Sequence, residues 1–481
     1  MRWRCDAPLP ALGDDPRLAA PVLLGPRAVE PLAAAVAAAG ATLLEVRPRQ
    51  LTLDPGRGLT VRYDATVRTA AGTATDMLVA RSGPPVAGAL VLARGPDTVS
   101  VWRAANDPAL PGLASALDPA ALGRLLGALG VAAARPRARL RSYRPGRRAV
   151  VEVAAGGARV YCKVVPPRRA RALHDVHAHL APHVPVPRSL GVDPSLGVVV
   201  LEALPGRTMR AALAAGDPLP PADVLVALLD ALPATGTPAP AWDHRRFAGI
   251  VSAALPDSAA ALTPLLDALD DAEARAAAEP PVPVHGDFHE AQLLVSGTAV
   301  TGLLDVDTVG TGRRVDDFAT LLGHLSVLAT TAPGYAAANG AATRLTAAFD
   351  ALGDPALLRA ATAAVVLGLA TGPLRVLERD WPDHTPRARR ARAALARARA
   401  AGGRGRALHP MSANSSGRHG ALSGGCDRRR GPVAGRRSTT WPSEPVGSSP
   451  GRSPRWPGSA SARRPPRRTA ATRAAARPTS S

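Results

Sequence analysis

One dense polar segment, residues 281–318, constrains the fold most, because it interrupts two long stretches of helical Leu/Ala spacing. An apolar approach, PPVPV, leads into HGD, which ends at Asp287, and Gln292 follows five residues later. The strand-like run VTGLLDVD then carries Asp305. Two short strands joined by a turn would bring Asp287, Gln292 and Asp305 to one edge of a hairpin. The segment therefore predicts a polar site on a small amount of sheet inside a helical body.

The residue types in this segment are those that phosphoryl transfer needs. A carboxylate at the edge of a hairpin can accept a proton from a hydroxyl group. A second carboxylate together with an amide oxygen offers the hard oxygen ligands that Mg²⁺ prefers. Phosphoryl transfer also needs a cation that clamps the phosphates.

Lys163 is the candidate for that cation, because it is the only lysine in a chain of 481 residues with 59 Lys plus Arg. Lysine offers a compact point charge on a flexible stem, whereas arginine offers a planar fork. Lys163 ends the third of three predicted strands that begin near Leu140. The turn RPGRR between the first two contains Gly146 and Arg147, and we expect it to form the loop over the phosphates. It lacks the full Gly-rich kinase signature.

The two ends of the chain differ from this central part. Residues 1–135 combine helix-like Leu/Ala segments with alternating runs such as LTVRYDATV and DTVSVWR, which predict a small α+β domain. Residues 403–481 are rich in Arg, Pro, Ser and Gly, a composition typical of disorder. From Arg404 onward 16 arginines face two acidic residues, so the tail carries much of the net charge of +21. We therefore expect no nucleic-acid partner except through the tail.

The cysteines and the apolar stretches of the sequence indicate the cellular compartment of the protein. The three cysteines, Cys5, Cys162 and Cys426, are widely separated and indicate neither a disulfide framework nor a metal cluster. The N-terminus has no apolar region of the signal-peptide type, and about 18 uninterrupted apolar residues occur nowhere. These features favour a soluble cytoplasmic protein with no membrane partner. They do not indicate an oligomeric state.

HGDFHEAQ, followed by LLDVD and DDFA, resembles the aminoglycoside phosphotransferase-like kinases, whose motif is HGD, four residues and Asn, then a strand with a metal-binding Asp. The resemblance runs from about residue 140 to 400. It implies a protein-kinase-like fold with ATP between two lobes and a small hydroxylated molecule as acceptor. On this reading Asp287 is the catalytic base, Gln292 and Asp305 ligate Mg²⁺, and Lys163 contacts the ATP phosphates.

The resemblance assigns further nucleotide contacts. Gly146 and Arg147 lie in the loop over the phosphates. The run GVVVLEALPG looks like the hinge between the lobes, where the backbone of Glu202 and Leu204 would hold the adenine.

The chain departs from the family pattern in two places that affect these roles. Gln292 replaces the usual Asn, as in similar kinases that act on maltose, which also carry an N-terminal cap domain. The helix RALHDVHAHL has no Glu at the place where a partner for Lys163 is expected. Asp175 is the nearest acid in that helix.

Several neighbouring residues have more ordinary interpretations. Asp307 is either a second metal contact or an exposed acid at a strand end. We expect Asp317 to cap the helix that follows and His285 to bond the backbone rather than carry protons. Three histidines at 174, 177 and 179 have no cysteine or carboxylate to complete a zinc set, so a solvated helix face is favoured.

The sequence thus predicts an α+β chain with a protein-kinase-like two-lobed fold. The parts are an N-terminal α+β cap domain (1–135), a small β-rich N-lobe (136–206), a mostly helical C-lobe with the catalytic loop (207–402) and a disordered tail (403–481). The expected activity is ATP- and Mg²⁺-dependent transfer of the γ-phosphate to a hydroxyl of an aminoglycoside, a sugar or an amino alcohol. The alternatives are a maltokinase-like sugar kinase and a catalytically silent, nucleotide-binding kinase relative.

Overall fold

The computed structural model describes residues 1–5, 20–54, 58–94, 97–131, 135–155, 157–240, 242–276, 280–331, 333–335 and 337–378. The predicted tail, 403–481, and the end of the predicted C-lobe, 379–402, lie outside the described residues. The described chain has three parts: an N-terminal sheet with helices, a small lobe on an antiparallel sheet, and a helical lobe.

The N-terminal part is built on a six-stranded sheet in the order β1-β2-β3-β4-β6-β5. Long strands form here because apolar residues alternate with polar ones, as in β3, where Leu59, Val61 and Tyr63 are buried. Four helices accompany the sheet. The elements are β1 Arg2–Trp3, α1 Ala20–Leu23, α2 Val29–Ala38, β2 Thr42–Asp54, β3 Gly58–Thr69, β4 Gly72–Ser82, β5 Leu90–Arg94, β6 Asp97–Arg103, α3 Gly112–Leu117 and α4 Pro119–Ala128.

The small lobe is a five-stranded antiparallel sheet in the order β10-β11-β9-β8-β7. One helix, α5, packs on it through Leu173 and its neighbours. The elements are β7 Arg137–Arg144, β8 Arg148–Ala155, β9 Ala158–Val164, α5 Pro167–Leu180, β10 Ser189–Asp193 and β11 Val198–Glu202. Strand β11, which lies between β10 and β9, is buried on both faces, which explains its continuous run of valines.

The helical lobe contains eight helices among the described residues, together with five short strands. The strands form two small sheets, β12-β14-β15 and β13-β16, which carry the polar segment. The elements are β12 Arg207–Thr208, α6 Met209–Ala215, α7 Ala222–Asp230, α8 His244–Ala254, α9 Ala259–Ala276, β13 Val282–Val284, β14 Leu293–Ser296, β15 Ala299–Leu303, β16 Gly310–Gly312, α10 Arg314–Thr331, α11 Ala337–Asp350, α12 Pro355–Ala370 and α13 Gly372–Arg375.

The N-terminal part packs against both lobes. One core joins Trp102 and Leu113 to Tyr143 and Cys162 of the small lobe. A second core includes buried residues of β2 and β3 together with Ile250 of α8. The N-terminal part therefore bridges the two lobes through apolar contacts.

One helical stretch among the described residues, Pro355–Arg375, is long and apolar enough to cross a membrane, with a mean hydropathy of 1.6. Of this stretch 67% is buried inside the fold, where α12 packs against α10 and α8. This is the environment of a core helix.

Candidate active site

Lys163 lies in the middle of the small-lobe sheet, opposite Val150 of β8 and Val199 of β11. Only 5% of the residue is exposed. Its Nζ lies 2.8 Å from Oδ1 of Asp305 and also contacts Oδ1 of Asp307. The acidic partners of the lysine therefore come from the helical lobe.

Helix α5 turns a histidine, not an acid, toward this buried region. Asp175 is exposed, whereas His177 is 1% exposed and its Nδ1 lies 2.7 Å from the carbonyl oxygen of Pro187. Burial lowers the pKa of His177 to about 4, so the ring is neutral and Nδ1–H is the donor. The buried Nε2 has no hydrogen-bond partner among the described residues. The interpretation of His177 as part of a solvated helix face is wrong, because its side chain points into the protein interior.

Asp305 follows strand β15 and adopts a left-handed backbone conformation, with φ 58° and ψ 47°. A residue with a side chain rarely takes this conformation, and such strain is often found at functional sites. The guanidinium of Arg148 binds the Asp305 carboxylate with both nitrogens, at 2.6 and 2.8 Å. Burial alone would raise the pKa of Asp305, but Lys163 and Arg148 outweigh it and hold the pKa well below the usual range.

Asp307 is close to the same two cations. It lies in the 3-10 turn Val306–Thr308, directly after Asp305, and its Oδ2 is 3.6 Å from Arg148. Only 12% of its side chain is exposed, so it is not an exposed acid at a strand end. Two carboxylates and two cations thus face one another between the lobes and neutralise each other.

The loop before Asp287 is held by buried polar groups. Nε2 of His285 donates to the carbonyl oxygen of Leu304 at 2.9 Å, and its Nδ1 accepts from the Asp287 amide at 3.3 Å. Burial lowers the pKa of His285 to about 4, so the ring is neutral. It bonds the backbone, as the sequence predicts.

Asp317 does not act as the helix cap that the sequence predicts. It lies in the first turn of α10, and its carboxylate accepts from the amides of His285 and Gly286 at 2.7 and 2.8 Å. Burial raises the pKa of Asp317 to about 7. Its carboxylate therefore fixes the backbone one residue before the predicted base.

Asp287 is the most accessible carboxylate of the group, with 36% of its side chain exposed. Burial of the remainder raises its pKa, and the negative charge of Asp305 adds to that effect, while His289 and Arg144 oppose it. A carboxylate with a raised pKa is a better proton acceptor than an ordinary surface aspartate. The geometry thus fits the predicted base.

The two predicted metal ligands are brought together. The Gln292 amide nitrogen lies 3.4 Å from Oδ2 of Asp305 and 3.2 Å from Nε2 of His289. Because the two ends of a glutamine amide look alike, rotation by 180° would direct its oxygen to the same place. Asp305, Asp307 and this amide form a set of oxygen donors that suits Mg²⁺.

A second cluster, formed by Arg210, His289, Glu290 and His324, lies next to the predicted base Asp287. Glu290 is fully buried, and its Oε1 accepts from Nε of Arg210 at 2.7 Å. Its Oε2 lies 3.7 and 3.6 Å from Nδ1 of His289 and His324. These two rings are stacked with centroids 4.0 Å apart and planes 11° apart, so their lone pairs run parallel and do not meet at one point. Parallel rings do not offer the converging donors of a tetrahedral zinc centre, and Oε2 of Glu290 has no hydrogen-bond partner among the described residues.

The four remaining predicted nucleotide residues lie at the two ends of the small-lobe sheet. Gly146 and Arg147 are exposed in the turn between β7 and β8, beside Arg148. Glu202 ends β11, and its carboxylate is bound by Arg188 at 2.8 Å. Leu204 follows at the junction of the lobes, where it packs against Gly302 of β15.

Sequence reasoning missed the groups that reach the site from distant parts of the chain. The sequence placed Arg148 in the phosphate loop but did not pair it with Asp305, which lies 157 residues away. The Arg210–Glu290 pair is separated by 80 residues. Neither pair leaves a local pattern that could reveal it, whereas the positively charged turn RPGRR was a usable signal for Arg148.

Residues 139–352 match the family model described as the phosphotransferase enzyme family. This part of the chain is similar to a phosphotransferase-family domain. The match confirms the resemblance seen in the sequence and the kinase-like fold class. The N-terminal sheet precedes the matched residues, which include Lys163, Asp287, Gln292 and Asp305.

Solved structures of phosphotransferases are also similar to the chain. An aminoglycoside phosphotransferase described as putative, from Ralstonia eutropha, is 17% identical with a TM-score of 0.40, covering 59% of this chain and 98% of that one. APH(3'')-Id from Streptomyces rimosus is 19% identical with a TM-score of 0.37, covering 52% and 97%. APH(4)-Ia, in a complex with ADP and hygromycin B, is 15% identical with a TM-score of 0.38, covering 57% and 97%. A comparison with curated proteins found no match.

Proposed function

We propose that the chain is an ATP- and Mg²⁺-dependent kinase that transfers the γ-phosphate to a hydroxyl group of a small molecule. The observation that carries the proposal is the arrangement of Asp287. This accessible carboxylate with a raised pKa lies in one site with the buried cluster of Lys163, Asp305 and Asp307. A proton acceptor beside a clamp for phosphates and metal is the minimum that phosphoryl transfer requires.

In this mechanism Asp287 orients the acceptor hydroxyl and takes its proton as the oxygen attacks the γ-phosphorus. The bond between that phosphorus and the bridging oxygen breaks, and ADP leaves. Lys163 holds the phosphates of ATP with a single point charge. Asp305 and Gln292, with Asp307 beside them, would hold Mg²⁺, which when bound neutralises phosphate charge. Since Lys163 and Arg148 both occupy Asp305, that carboxylate must release part of these contacts to serve the metal. Arg148 is then free to contact the phosphates.

The candidate acceptor pocket in this proposal is a cavity of about 330 Å³. Gly286 lines it, directly before Asp287, whereas Asp287, Lys163 and Asp305 are not among its lining residues. Trp242 and Glu273 line it from the helical lobe and offer an aromatic surface and a half-exposed carboxylate. Such groups suit a sugar ring or a cationic amine. Aminoglycosides, maltose and amino alcohols are therefore the acceptors to test.

The second candidate function is a silent, nucleotide-binding relative. One observation favours it: Arg148 covers Asp305 with both nitrogens, which leaves less of the carboxylate open for a metal. A cytoplasmic location belongs to either proposal, since ATP is available there and the buried Cys162 stays a thiol.

A screen for ADP release separates the two candidates. The full chain would be incubated with Mg-ATP and a panel of aminoglycosides, maltose and other sugars, and amino alcohols. Acceptor-dependent ADP release that Asp287→Asn abolishes supports the kinase. The matched control is Asp223→Asn, which changes an exposed carboxylate in α7. Binding of Mg-ATP without turnover on any acceptor would favour the silent relative.

A further inference from the structure

The turn that covers the predicted phosphate site is held by a carboxylate of the N-terminal part. Residues Arg144 to Arg147 form a β-turn, in which the Arg147 amide donates to the Arg144 carbonyl at 3.0 Å. Proline at the second position and a φ of 68° at Gly146 define a type II turn. The turn's own hydrogen bond leaves the Gly146 N–H unused. That donor binds Oδ2 of Asp107 at 2.7 Å.

Asp107, which makes this contact, lies in the protein interior. It is 2% exposed, and its Oδ2 also accepts from the Tyr143 hydroxyl at 2.7 Å. Its Oδ1 accepts from the Ala109 amide at 2.9 Å. Trp102 Nε1 in turn lies 3.3 Å from the Tyr143 oxygen, within the core that the N-terminal part shares with the small lobe. These hydrogen bonds therefore connect Gly146 to the core that the N-terminal part shares with the small lobe.

The bond to Asp107 selects one orientation of the peptide between Pro145 and Gly146. Type I and type II turns differ by a rotation of this peptide, which reverses the direction of its N–H and C=O. A buried, charged acceptor binds an amide more strongly than a neutral one does. The type II form is therefore favoured before any nucleotide arrives. Arg148, the first residue after the turn, stays directed at Asp305.

We propose that Asp107 is a positioning residue for nucleotide binding, through which the N-terminal part sets the shape of the phosphate-facing turn. The inference rests on the proposed function, because it assumes that this turn faces ATP. It follows that the N-terminal part contributes to nucleotide affinity although it lies before the residues matched by the family model.

Calorimetric titration of the full chain with Mg-ATP, without acceptor, tests this role. Asp107→Asn keeps the side-chain shape but removes the charge and one acceptor oxygen. We expect it to weaken nucleotide binding by roughly tenfold, the effect of losing one charged hydrogen bond. Tyr143→Phe is the matched control, because it removes the other partner of the same oxygen and leaves Gly146 bound. It should lower the thermal midpoint while changing nucleotide affinity less than about twofold.

A second variant covers the case in which Asp107→Asn does not fold. Pro145→Gly loosens the same turn from outside the buried network and should also weaken nucleotide binding, by a few-fold. Wild-type affinity in the folded variants, or equal losses in Asp107→Asn and Tyr143→Phe, would overturn the positioning role. In turnover, Asp107→Asn should raise KM for ATP and leave KM for the acceptor unchanged. If the wild-type chain itself does not bind Mg-ATP, the proposed function fails, and this inference fails with it.

Discussion

Nζ of Lys163 and Oδ1 of Asp305 lie 2.8 Å apart, and this contact joins the small lobe to the helical lobe. The lysine comes from the middle of a five-stranded sheet, and the aspartate from a strained residue after β15. Lys163 is buried, only 15% of the Asp305 side chain is exposed, and Asp307 shares the lysine, so opposite charges are concentrated at this point between the lobes.

Lys163→Arg should keep the charge and still reduce turnover severely. The ammonium group of Lys163 is buried and contacts two carboxylates at once. A planar guanidinium in its place would have to displace Asp305 or Asp307. We expect kcat/KM to fall by about 100-fold, as when one transition-state donor is removed. Arg159→Lys, an exposed change on the same strand, is the control. Wild-type turnover in Lys163→Arg would show that the point charge is not required.

Substitution of Gln292 should change the Mg²⁺ requirement more than the affinity for the nucleotide. Gln292→Leu removes the amide oxygen and should raise the Mg²⁺ concentration that gives half-maximal rate, by roughly tenfold. Gln292→Asn retains an amide oxygen and should stay closer to the wild type. The measurement is the Mg²⁺ dependence of initial rate at saturating ATP. Identical metal curves for the Leu and Asn variants would exclude Gln292 as a ligand.

Acid should destabilise the fold because three buried histidines are neutral. Burial lowers the pKa to about 4 for His177 and His285 and to about 3 for His324. The unfolded chain binds protons at these rings below pH 6.5, while the folded chain does not. The free energy of unfolding therefore falls as pH drops from about 6.5 to 4, by up to about 1.4 kcal/mol per pH unit for each ring.

Denaturant unfolding of a histidine variant between pH 7 and pH 4.5 measures this effect. His177→Gln should give a shallower pH dependence than the wild type, even though its stability at pH 7 is lower. His183→Gln, at an exposed position next to the same helix, should keep the wild-type slope. A slope in His177→Gln as steep as in the wild type would mean that His177 is not held neutral.

Substitution of Glu273 should change the KM for the acceptor and not the KM for ATP. It lines the cavity beside Gly286, with 48% of its side chain exposed. For a cationic acceptor, Glu273→Gln should raise the acceptor KM by roughly fivefold, the effect of about 1 kcal/mol, and leave KM for ATP unchanged. Asp267→Asn, at an exposed position on the same helix, is the control. An unchanged acceptor KM would place the acceptor elsewhere.

The local elements and the family were predictable from the sequence. Alternating apolar residues marked strands such as β3, and the turn RPGRR marked the hairpin of β7 and β8. The spacing of Asp287, Gln292 and Asp305 predicted that they share one edge. The structure places the last two within 3.4 Å of each other.

What the sequence did not predict depends on contacts between distant segments. The sequence predicts a helix cap at Asp317, yet tertiary packing turns its carboxylate to the loop before Asp287. The expected partner of Lys163 was sought in α5, but that helix presents His177 there instead. Asp107 and Gly146 are 39 residues apart and meet only because two parts of the chain share a core.

Phosphorus NMR of the full chain with Mg-ATP and the acceptor found in the screen tests the central claim most directly. We predict that the ATP γ-phosphate signal is replaced by that of a phosphate monoester on the acceptor, together with ADP, and that Asp287→Asn abolishes this conversion while still binding Mg-ATP. Release of inorganic phosphate without a phosphorylated acceptor, or undiminished transfer by Asp287→Asn, would contradict the account.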